Sequence, residues 1–80
     1  MQLEEMLLAM QAFGRPSIGF YSRGWHASVD MHVNQTGAKF EVASDFGHAT
    51  PTAAALECIE RMCAILQKRG ADITRLELAR

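Results

Sequence analysis

The chain has 80 residues, of which 49% are hydrophobic and 21% charged, and a formal charge of -1. That length holds one domain, with no room for separate cofactor and substrate domains, and supports a thin two-layer core that buries roughly 60 to 65% of the extended surface. The composition argues against a disordered tail, and eight scattered Lys and Arg residues argue against nonspecific coating of nucleic acid.

Residues 2–13 set Leu3, Met6, Leu7, Met10 and Phe13 at helical spacing, with Leu8 off the stripe. Gly14 at the position after the helix, followed by Pro16, reads as a stop signal. From residue 17 the period becomes two, which predicts strands over 17–22, 25–33 and 38–44. Ser22-Arg23-Gly24 joins the first two, and Asn34-Gln35-Thr36-Gly37 reads as the second turn. Pairing Val33 with Ala38, Met31 with Phe40 and Val29 with Val42 keeps the apolar side chains on one face. A one-residue slip would turn Lys39 and Glu41 into the core. The same parity sets Phe20 across from Trp25 and Ile18 across from Ala27, with Trp25 as a core anchor.

Thr50 as N-cap and Pro51 at the first helical position announce a second helix over 51–69. Its expected buried stripe is Ala55, Leu56, Ile59, Met62, Cys63 and Leu66, and Gly70 ends it. The tail, 71–80, alternates weakly and fits either a short fourth strand or a frayed extension. The expected architecture is an α+β two-layer αβββα sandwich, a three-stranded antiparallel meander with both helices on one face.

Cys58 and Cys63 lie about 140° apart around one helix and cannot bridge each other, so they read as buried small hydrophobes in a reducing compartment. Early acids in place of a basic leader, and no apolar run near the ~20 residues of a membrane span, make the expected location cytoplasmic with no membrane partner.

Two helices on one side leave the other sheet face open. It would carry Tyr21, His26, Ser28, Asp30, His32, Lys39, Glu41 and Ala43, with Asp45 just beyond. Asp30 falls opposite Glu41, a like-charge pair that calls for an offsetting group. Asp30, His32 and Glu41 have the spacing of a weak metal site, but a solvated or partner-facing patch explains them without a metal, and no cofactor is expected. The sequence has no Gly-rich phosphate loop, no CxxC and no nucleophile with a base and an orienting third group, so no catalytic residues are assigned and no enzyme is expected. Phe46, in the loop after the third strand, either plugs the end of the core or is offered to a partner.

The charge is uneven: residues 1–60 carry a net -4 and residues 61–80 a net +3. Matching of helix dipoles accounts for part of this. The alternative is a nucleic-acid contact by Arg61, Lys68, Arg69, Arg75 and Arg80.

Over about residues 2–69 the element order resembles the double-stranded-RNA-binding domain, which implies that fold. The motifs that bind RNA in that family are absent. The second helix opens on Thr50-Pro51-Thr52-Ala53-Ala54 instead of lysines, the first interstrand loop is Ser22-Arg23-Gly24 without a histidine motif, and the first helix offers Glu4 and Glu5. The stretch from Gly47-His48-Ala49 through Ala54 is similar to the corresponding part of HicB-type antitoxins, which begin with a strand where this chain begins with a helix. The pattern from Gly24-Trp25 through Phe40 to Gly47-His48-Ala49-Thr50-Pro51 resembles small single-domain proteins of phages and prophages, anti-CRISPR proteins among them. That resemblance implies a protein that binds and blocks a host complex, with no site residues carried over.

The expected function is therefore a non-enzymatic inhibitor or regulator of a host protein complex, such as a CRISPR surveillance complex. It would act through Tyr21, His26, Asp30, His32, Lys39, Glu41 and Asp45. The alternatives are a nucleic-acid-binding module or an antitoxin-like regulator. A homodimer through edge strands or open faces would be compatible with either.

Overall fold

The first nine-residue helix, α1 (Leu3–Gln11), opens with Glu4 and Glu5, whose charges complement the positive end of its dipole. The computed structural model describes residues 2–33 and 38–80, and only the backbone of residues 32, 33, 38 and 39. The turn expected at Asn34–Gly37 lies outside the described residues. Helix α1 ends on Ala12, still in right-handed helical conformation. Phe13 closes the last turn, its N–H donating to the Met10 carbonyl at 3.0 Å.

Gly14 is not the residue just after the helix, as the sequence suggested, since the helix cap is Ala12. It starts strand β1 (Gly14–Tyr21), three residues earlier than expected. Strand β2 (Gly24–Val33) lies between β1 and β3 (Ala38–Ala43) in one antiparallel sheet. Pro16, which lacks an N–H, sits in edge strand β1, where a missing donor is tolerated. Both registers are those that the apolar alternation requires: Phe20 pairs with Trp25 and Ile18 with Ala27, and Val29 pairs with Val42 and Met31 with Phe40.

Helix α2 (Pro51–Lys68) is capped by Thr50, whose Oγ1 accepts from the Ala53 N–H at 3.1 Å. At its other end Gly70 has φ +77°. The Gly70 N–H donates to the Gln67 carbonyl and the Ala71 N–H to the Leu66 carbonyl, each at 3.1 Å, forming a Schellman motif. Ala54, Ala55 and Cys58 are fully buried; their small side chains let α2 lie close on the sheet. Leu56 is exposed, contrary to its place in the expected stripe.

The tail forms neither a fourth strand nor an extension of α2. It forms a separate helix, α3 (Thr74–Ala79), packed against α1 and α2. Leu76 and Ala79 in the helix and Ile73 at its N-cap are buried, a three-residue spacing that follows the helical period, while Leu78 is left 72% exposed. Asp72 starts the turn: its Oδ1 accepts from the Thr74 N–H at 3.0 Å and from the Thr74 hydroxyl at 2.7 Å, and these bonds lower its pKa.

The core lies between the sheet and the helices, around Met6, Met10, Val29, Ile59, Met62 and Leu76. It stops short of the β1–β2 hairpin tip. Phe20 is on the core-facing side yet 66% exposed, resting edge-on against the half-buried Trp25 at 5.3 Å between centroids. No described helix is long and apolar enough to cross a membrane.

Both cysteines are free and buried. Burial pushes the Cys58 thiol up to about 12 and raises that of Cys63. Native Cys58 should therefore react with a thiolate-selective reagent about three orders of magnitude more slowly than an unhindered thiol. Labelling followed by mass spectrometry, native against urea-unfolded, checks this.

Candidate functional site

Across the open sheet face the register builds short rows of side chains. One row runs Arg15, Asp30, Glu41, because β1 reaches back far enough to set Arg15 across from Asp30. The like-charge pair is real, and it has a cation on its far side. The row reads plus, minus, minus, with one net negative charge turned to solvent. His32 and Lys39 pair by backbone in the next row; their side chains lie outside the described residues.

Toward the hairpin tip the face is aromatic. His26 and Phe46 stack at 4.0 Å with only 7° between ring planes. Tyr21 meets both edge-on, at 5.8 Å from His26 and 5.5 Å from Phe46. Gly19, opposite His26, makes room for this: a Cβ there would sit 3.1 Å from the Tyr21 ring and hydroxyl. Phe46 is 61% and Tyr21 50% exposed, so the cluster presents an apolar surface instead of filling the core.

Phe46 sits in a segment that is pinned on both sides. Before it, the Ser44 N–H donates to the Ala27 carbonyl at 2.8 Å, and Ser44 Oγ accepts from the Ala27 N–H at 2.9 Å. After it, Trp25 and His48 exchange backbone hydrogen bonds of 2.9 and 3.2 Å. Helix α2 holds the segment from the side. Glu57 Oε1 accepts from the Asp45 N–H and lies 3.1 Å from His48 Nε2. Arg61 donates to the Ala43 carbonyl at 2.7 Å and pairs with Asp45 at 3.0 Å.

The Asp45 N–H, and then the His48 ring, hold the Glu57 carboxyl below its ordinary value of 4.5. A lowered carboxyl pKa contributes stability that is fully present above 4.5 and is lost as pH falls through the lower folded value. Glu57→Gln should therefore flatten the acid limb of the stability profile and, because the site is partly solvated, cost only about 1 kcal/mol at neutral pH. Urea unfolding at a series of pH values measures both.

The structure brings Tyr21 and His26 together and sets Asp30 beside Glu41. It pairs the Asp45 carboxylate with Arg61. Sequence reasoning left Arg15 out of the site, because it lay in a stretch assigned to the helix stop. It left Phe46 between two readings, a plug for the core or a residue offered to a partner; the structure has it exposed.

The basic residues of the alternative reading are partly engaged within the fold. Arg61 is held as described, Arg69 lies 4.8 Å over the Phe40 ring, and Arg75 lines a groove with Glu5. Lys68 is in the last turn of α2, and Arg80 caps α3. Among the described residues no three His, Cys, Asp or Glu side chains come together as a metal-binding group. Comparison of the chain with protein-family models, curated proteins and solved structures finds no match.

Proposed function

We propose that this is a non-enzymatic binding protein whose open sheet face covers an arginine-bearing surface of another protein. The observation that carries the reading is the exposed, pinned cluster of Tyr21, His26 and Phe46 on the same face as the Asp30–Glu41 pair. A guanidinium stacks on aromatic rings and pairs bidentately with carboxylates, so both ends of the face suit one side chain type. His26 and Asp30 are four residues apart on β2, about 13 Å, which matches two arginines separated by three residues on an extended segment. Pinning Phe46 in advance lowers the ordering cost of binding.

A basic surface of a host nucleic-acid machine has this chemistry, and the resemblance to phage-encoded inhibitors implies that target class. The test is binding of a short extended peptide with two arginines at that spacing, beside lysine and glutamate versions. The arginine peptide should bind with Kd on the order of 0.1 mM, the lysine version more weakly and the glutamate version not at all. Phe46→Ser should weaken binding about tenfold. Equal binding of the lysine and arginine peptides, or indifference to Phe46→Ser, would overturn the reading.

A further inference from the structure

On the helical layer, away from the open sheet face, α1 and α3 flank a groove of about 250 Å³ lined by Glu5, Leu8, Ala9, Arg75, Leu78 and Ala79. The two walls carry one pattern with opposite charge. Glu5-x-x-Leu8-Ala9 on α1 faces Arg75-x-x-Leu78-Ala79 on α3, a charge followed three and four residues on by Leu and Ala, and so on one side of each helix. Ala9 and Ala79 are buried, and they form a floor low enough to admit a side chain. Leu8 and Leu78 stand above it, 53% and 72% exposed. Among the described residues neither Glu5 nor Arg75 takes part in an ion pair.

We propose that this groove is a homodimer interface whose occupant is a second copy of the chain, related by a two-fold axis. A two-fold contact requires a patch that complements itself. Here α1 of one copy meets α3 of the other. Each copy's Leu78 enters its partner's groove against Leu8 and the alanine floor, and Glu5 meets the partner's Arg75 twice by symmetry. The lone charge on each wall supplies the register, and the leucines supply the buried apolar area. The arrangement leaves both open sheet faces free, so a dimer would present two copies of the proposed binding face.

Sedimentation velocity up to about 0.5 mM tests the pairing. The natural chain should show a reversible monomer–dimer equilibrium. Glu5→Arg and Arg75→Glu should each weaken self-association at least tenfold, because each sets like charges together twice. Mixed in equal amounts, these two variants should form a heterodimer, since one copy then carries only cations and the other only anions at the groove. The double variant should associate like the natural chain. Leu78→Glu should abolish dimerisation with little change in thermal midpoint at a dilution where the natural chain is monomeric, because the side chain is exposed in the single chain. A chain that stays monomeric throughout, a dimer that survives Leu78→Glu, or failure of the two reversed variants to pair would each contradict the interface.

Discussion

Gly14→Ala should destabilise the domain by about 3 kcal/mol or more, lowering the thermal midpoint by roughly 15 °C. A Cβ at this position would lie 2.2 Å from the Asp30 carbonyl oxygen and 3.0 Å from its carbon. Those are backbone atoms of the central strand, paired on both sides, so the clash cannot be relieved by turning a side chain. For an 80-residue chain, whose total stability is about 4 to 12 kcal/mol, this is a large share. Gly70→Ala is the informative control. Gly70 holds the left-handed conformation at φ +77°, but a Cβ there would meet nothing within 4 Å, so only conformational strain of about 1 kcal/mol applies. Equal costs at the two sites, from urea or thermal unfolding, would contradict the packing of β1 against β2.

Leu76→Ala should cost about 2 to 5 kcal/mol, the range for removing a fully buried leucine. It should also release α3, because a six-residue helix lacks stability without its packed face. Arg80 and Glu77, at the end of α3, are among the charges that act on the Cys63 thiol, whereas Cys58, on the sheet-facing side of α2, has its thiol 3.5 Å from the Val42 carbonyl. The variant should therefore expose Cys63 to alkylation in the native state and leave Cys58 protected. A loss under about 1 kcal/mol with both thiols still protected would mean that α3 is not part of the cooperative core.

These two positions also mark how far local patterns carry. The strand registers were legible because a one-residue slip between β2 and β3 would turn Val29, Met31 and Val42 out of the core and bring Lys39 and Glu41 in. The second helix was legible because Thr50, Pro51 and Gly70 each have a specific backbone use at a helix end. Gly14 was misread because a glycine required for a close approach between strands looks, in sequence, like one that ends a helix. That error moved the start of β1 and hid Arg15, the cation beside the Asp30–Glu41 pair. In the tail, Leu78 beside Leu76 blurred the period, although the buried set Ile73, Leu76 and Ala79 is helical and Asp72 supplies the start. At the site, Tyr21 and His26 followed from strand parity. Phe46 did not, because its position depends on hydrogen bonds from β2 and α2 to an irregular segment.

The most direct measurement is a nitrogen-15 NMR titration of the full chain with the two-arginine peptide, followed residue by residue. The amides of Gly19, Tyr21, His26 and Phe46 should shift together with those of Asp30 and Glu41, while those of α3 stay fixed. Shifts centred on Lys68, Arg69 and Arg80, or on the groove between α1 and α3, would contradict the assignment of binding to the open sheet face.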